Sequence, residues 1–146
     1  MKPGLHAGLA HELRYRVPAA KTVPALYPES EEFRGMPPVF ATGFLVGLLE
    51  WACMRAVNPF LDGPHQLTLG TRIAVTHCGA TPPGLEVLAR ARLTQVDGRR
   101  LTFDVEAHDG IEIISRGTHE RYIVERVPFG DKVARKGRRI DAPPDW

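Results

Sequence analysis

At 146 residues, 43% of them apolar and 25% charged, the chain suits one domain whose core needs neither disulfide nor metal. The formal net charge is +2, and all of the excess lies after Arg126, where Lys132, Arg135, Lys136, Arg138 and Arg139 outnumber Asp131, Asp141 and Asp145. The body, residues 1–126, is balanced and exerts no strong pull on nucleic acid, and residues 127–146 are expected to form a solvated basic C-terminal tail. Cys53 and Cys78 lie in apolar segments without the spacing of a zinc or redox motif, so both are expected to be buried thiols of a reducing compartment. Residues 1–10 hold no apolar signal core, and the apolar run Val39–Met54 is interrupted by Glu50 and shorter than the roughly 20 residues of a membrane span. The expectation is a cytoplasmic protein with no membrane or nucleic-acid partner.

In chain order, Leu9, His11, Leu13, Tyr15 and Val17 alternate with mostly polar neighbours and predict a half-buried strand. Pro18, Pro24, Pro28, Pro37 and Pro38 then predict a long loop with at most a helical turn, the kind of segment that serves as a lid. From about Phe40, Leu45, Leu48, Leu49, Ala52, Cys53 and Ala56 form one apolar face and predict a helix that ends at Asn58-Pro59. The rest reads as strand, with turns at Asp62–Pro64, Thr81–Gly84, Asp97-Gly98 and Asp109-Gly110. Val87, Ala89, Ala91 and Leu93 alternate on one strand, and Leu101, Phe103, Val105 and Ala107 on the next. One sheet face therefore packs on something apolar while much of the other meets water.

A strand, a long loop, one long helix and a meander of about four strands give an α+β architecture: the hotdog fold, a central helix wrapped by a curved antiparallel sheet. One helix cannot protect both sheet edges, so pairing into a homodimer is the expected remedy, and the sequence leaves open whether that dimer doubles into a tetramer.

Three residues stand out for chemistry. Glu50 is the only ionisable group between Gly43 and Met54, and its helical neighbours Val46, Gly47, Cys53 and Met54 make no solvated face. A carboxylate there costs several kcal/mol unless it is compensated, so it either serves acid/base or nucleophilic chemistry in a cavity or is tied into an ion pair, Arg121 being one candidate. Thr42 stands near the helix start, where its hydroxyl either caps backbone amides or joins them in holding an oxyanion, about two turns from Glu50. His77 follows Leu69, Thr71, Ile73 and Val75 in an alternating series and is expected to face inward as a second ionisable group. Short metal-ligand spacing, GxSxG, Walker and GxGxxG patterns are all lacking.

The stretches Lys21-Thr22-Val23-Pro24, Phe40-Ala41-Thr42-Gly43-Phe44, Gly47-Leu48-Leu49-Glu50-Trp51-Ala52-Cys53, Thr76-His77, Ala80-Thr81-Pro82-Pro83-Gly84 and Gly117-Thr118-His119-Glu120-Arg121 together resemble the fluoroacetyl-CoA thioesterase family of hotdog proteins. The resemblance spans most of the chain from Leu9 to Arg126. It implies a catalytic set of Thr42, Glu50 and His77, a pocket at the dimer interface with Gly70 and Arg121 near the acyl group, and a lid from Phe33 to Phe40. At Met36 the fluoroacetyl-specific enzyme carries phenylalanine, so what carries over is short-chain acyl-CoA hydrolysis in general. No cofactor is implied, CoA being part of the substrate. The alternatives are a hotdog protein that binds acyl-CoA, or performs hydratase-type proton transfer on it, without releasing CoA, and an interaction module whose tail meets RNA or a membrane.

Overall fold

A computed structural model describes residues 1–140, 143 and 144. Strand β1 (Ala10–Arg16) leads through a 3-10 turn into two one-turn helices, α1 (Val23–Leu26) and α2 (Glu31–Arg34). The proline-rich segment is thus more helical than the sequence suggests. Pro24 stands in the first turn of α1, where its missing N–H costs nothing, and the Ser30 hydroxyl accepts from the Phe33 amide to cap α2.

The long helix α3 (Thr42–Val57) buries Leu45, Leu48, Leu49, Ala52, Cys53, Ala56 and Val57. Each fully buried leucine contributes roughly 1.5–3 kcal/mol by leaving water. The α-helix stops where Pro59 removes an amide donor, and the chain continues as a 3-10 turn, Asn58–Phe60. Four strands follow: β2 (Gln66–Val75), β3 (Glu86–Asp97), β4 (Arg100–His108) and β5 (Ile113–Glu125). They pair antiparallel with β1 in the order β1-β3-β4-β5-β2. The alternating sets Val87–Leu93 and Leu101–Ala107 all face the core, against α3.

Strand β2 departs from the simple alternation. Gly70 pairs with Arg121 and Ile73 with His119, so three residues on β2 span two on β5, and Thr71 is the extra residue of a bulge. The bulge flips the pleat: Thr68, not Leu69, is buried before it, and Thr71 is exposed. Beyond it, Ile73 at 38% exposure and Arg72 and Ala74 leave this edge of the sheet open. Cys53 is buried as expected, but Cys78 is exposed, because it lies on the same open edge.

The basic tail begins as a helix, α4 (Arg126–Gly137), with no buried residue; Asp141, Ala142, Asp145 and Trp146 fall outside the described residues. No helix among the described residues is long and apolar enough to cross a membrane.

Candidate active site

The three residues expected to act together form two groups within one chain. At the start of α3, the Thr42 hydroxyl lies 2.7 Å from His77 Nδ1. Ala41, not Thr42, is the capping residue, and no side chain caps the helix. The hydroxyl therefore serves the imidazole, and the first-turn amides are left for an incoming oxygen. His77 Nε2 is buried and has no hydrogen-bond partner among the described residues. Burial holds the imidazole below its ordinary value of 6.5, so it is neutral at pH 7.

The second group surrounds Glu50. Arg121, only 5% exposed, donates from Nη1 to Glu50 Oε1 at 3.1 Å. The same guanidinium donates from Nε to the Thr68 hydroxyl and from Nη2 to the Thr68 carbonyl oxygen, both at 2.8 Å. His119 Nε2 lies 3.1 Å from Arg121 Nη1 and 3.9 Å from Glu50 Oε1. Gly70 completes the group: a Cβ there would stand 2.5 Å from the Glu50 carboxylate oxygen. Only glycine lets that carboxylate approach the strand so closely.

Glu50 meets the sheet through Arg121, its ion-pair alternative, and the imidazole beside it is His119 rather than His77; no hydrogen bond or ion pair joins Glu50 to Thr42 or His77 among the described residues. Thr42 is drawn to the far end of the β2 segment, while Glu50 is held opposite its middle. The carboxylate is also only partly shielded, at 36% side-chain exposure. His119 was missed as a site residue. Its one sequence signal is its place two residues before Arg121 on an alternating strand, which puts both on the inner face.

The lid span is divided. Phe33 stacks on Tyr27, with ring centroids 5.5 Å apart, and Met36 is 50% exposed. Phe40 is no lid residue: it is 1% exposed, its amide donates to the Thr81 carbonyl oxygen, and it bridges to Thr22. Leu26 of α1 covers Gly43 of α3, 3.4 Å from where a Cβ would stand. A depression of about 230 Å³ lies beside the start of α3, lined by Tyr15, Lys21, Phe40, Phe44, Gly47, Leu48 and Trp51. Another, of about 420 Å³, sits on the outer sheet face around Arg90 and Glu106 and holds none of the candidate residues. Cys53 is no nucleophile: burial drives its thiol up to about 12. No group of three or more metal-ligating side chains occurs among the described residues.

A five-stranded antiparallel sheet curled around one helix, carrying a carboxylate on the helix and a histidine beyond the following strand, defines a hotdog protein of the thioesterase class. Residues 24–127 match the family described as fluoroacetyl-CoA-specific thioesterase, FlK. The fluoroacetyl-CoA thioesterase of Streptantibioticus cattleyicolor is 52% identical over 136 residues, 93% of this chain and 97% of that protein. A solved structure of the fluoroacetyl-CoA thioesterase FlK superposes with a TM-score of 0.89 at 52% identity, over 91% of this chain and 98% of that one. A Thermus thermophilus member of the thioesterase superfamily superposes at 0.84 with 26% identity, over 98% of this chain and 100% of that one. The chain belongs to the fluoroacetyl-CoA-specific thioesterase family and is a thioester hydrolase.

Proposed function

We propose that the chain hydrolyses a short-chain acyl-CoA to the free acid and CoA at a site completed by a second copy of itself. The observation that carries this reading is the arrangement along β2, where Gly70 belongs to the Glu50 group and His77 to the Thr42 group. Seven residues of extended chain separate them by roughly 23 Å. The open β2 edge offers a template for antiparallel pairing with another β2. A two-fold axis between Ile73 and Ala74 sets Gly70 of one chain opposite His77 of the next, at the roughly 5 Å spacing of neighbouring strands. Two groups too far apart to cooperate within one chain then face each other across the interface, and each dimer holds two sites.

In this site Glu50 attacks the thioester carbonyl or activates water to do so. The Thr42 hydroxyl and the uncapped first-turn amides of α3 hold the developing oxyanion. That role leaves the Thr42 proton free for the substrate oxygen when His77 Nδ1–H donates to Oγ1, and the neutral imidazole then orients the hydroxyl. Phe33 and Met36 form the lid side of the entrance, while Gly70 and Arg121 shape the wall beside the acyl group. The thiolate leaves readily, so these residues suffice without a metal. With methionine where the fluoroacetyl-specific enzyme has phenylalanine, the reading is general short-chain acyl-CoA hydrolysis in the cytoplasm.

Glu50→Gln keeps the size and the hydrogen bond to Arg121 while removing the charge. It is expected to lower turnover by about 10²–10⁴-fold, followed as free thiol released from acetyl-CoA, with an unchanged melting curve. Near-normal thiol release by this variant would sink the mechanism, and wild-type protein that binds acetyl-CoA without releasing thiol would favour the binding or hydratase reading.

A further inference from the structure

The mechanism above makes no use of His119, although it is 2% exposed, stacks near Phe103 at 6.5 Å between centroids and touches Arg121 directly. Its protonation state can be deduced from its partners. A guanidinium carries five donors and no acceptor, and stays charged. The 3.1 Å contact between Arg121 Nη1 and His119 Nε2 therefore requires a lone pair on Nε2. On the other side, Nδ1 lies 2.7 Å from the Arg72 carbonyl oxygen, which only accepts, so Nδ1 carries the hydrogen. The imidazole is neutral and held in a single tautomer by a carbonyl just past the Thr71 bulge.

We propose that His119 is the positioning residue for the Arg121–Glu50 pair: through its Nε2 lone pair it sets the direction in which the guanidinium meets the carboxylate. The inference rests on the proposed role of Glu50. Thr68 holds Nε and Nη2 of the guanidinium from one side, and His119 holds Nη1 from another. The direction left to Nη1 leads to Glu50 Oε1. With both ring nitrogens engaged and the ring buried, His119 reaches neither substrate nor water and is not itself an acid or base in the reaction. Burial, and after it the charge of Arg121, hold its imidazole below the ordinary value, which keeps the Nε2 lone pair in place at neutral pH. The bulge supplies the geometry: by adding Thr71 it lets Gly70 and Ile73 both face inward, opposite Arg121 and His119 in turn.

Nitrogen-15 NMR of the full-length protein at neutral pH reads the tautomer directly, and kinetics on acetyl-CoA read its consequence. Glutamine can donate to the Arg72 carbonyl oxygen and accept from Arg121, so His119→Gln is expected to keep turnover within about threefold of wild type, whereas His119→Phe keeps the packing, loses both bonds and should lower kcat about 10- to 100-fold with a smaller change in KM. An Nε2–H or doubly protonated ring would overturn the proposal, as would wild-type kcat in His119→Phe. Loss in His119→Gln equal to that in His119→Phe would also overturn it, since the ring itself would then be required. If His119→Phe does not fold, the tautomer and the His119→Gln rate decide. A fully active Glu50→Gln variant would instead remove the role of Glu50 while leaving the tautomer readable, so the two failures are distinguishable.

Discussion

The two ends of the β2 segment are built on opposite electrostatic plans. Around Gly70 a buried cation is tied by Thr68 and His119 and meets a partly exposed carboxylate; His77 instead meets a hydroxyl at an uncapped helix start, its neutral imidazole leaving Nε2 without a hydrogen-bond partner among the described residues. On the proposed mechanism the first arrangement aims a carboxylate and the second steadies a growing negative charge. The proposed hydrolysis draws on both capacities at one carbonyl. The contrast explains why an open edge strand would be retained: it is where the two halves can be brought together.

The most severe way to disturb one half alone is at Gly70. Gly70→Ala places a methyl 2.5 Å from Glu50 Oε1 and 3.3 Å from Arg121 Nη1, so the carboxylate must move. Displacement of about 1 Å is expected to cost roughly 100-fold in kcat/KM, while thermal stability should suffer less because Gly70 is exposed. Unchanged kcat/KM would separate Gly70 from the Glu50 group. On the other half, Thr42→Val keeps the shape and removes the hydroxyl that His77 touches; a fall of about tenfold or more in kcat is expected, with Thr42→Ser retaining more activity than Thr42→Val. Equal rates in the two variants would show that the hydroxyl has no part.

The smallest effect touches both halves through stability. His77 and His119 are each depressed below 6.5 by burial, so the unfolded chain takes up protons first as pH falls. Their contribution is therefore complete above pH 6.5 and is lost as pH drops below it toward the folded-state values. The melting temperature should be level above that point and decline under it, and the decline should weaken in His119→Gln. A melting temperature that rises on acidification through this range would contradict the burial assigned to both rings.

Much of this was legible in the sequence because periodicity reports local geometry. The alternation of Val87–Leu93 and Leu101–Ala107 and the helical face from Leu45 to Ala56 became the core as read. The hotdog arrangement followed from element order alone. What periodicity could not report was the bulge: one extra residue at Thr71 reversed the pleat, so Thr68 and Gly70 took the inward places assigned to Leu69 and Thr71. For the same reason Thr68 was invisible as a partner of Arg121, since cross-strand register, not spacing along the chain, sets which side chains meet; His119, two residues before Arg121 on β5, shares its face by alternation. Glu50 was correctly singled out as an ionisable group needing compensation, but the choice between Arg121 and His77 beside it depended on a tertiary contact. Phe40 was misread for a related reason: it looks like the end of a loop, yet its bonds to the Thr22 and Thr81 regions bury it.

The central claim is that Glu50 of one chain works with Thr42 and His77 of another, and mixing two inactive variants tests it most directly. Glu50→Gln and His77→Ala proteins, unfolded and refolded together, form mixed dimers in which one site carries both lesions and the other carries none. Random pairing should restore about one quarter of wild-type thiol release from acetyl-CoA. A mixture that remains as inactive as its two parents, although mixed dimers have formed, would place Glu50 and His77 of the same chain in one site and contradict the account.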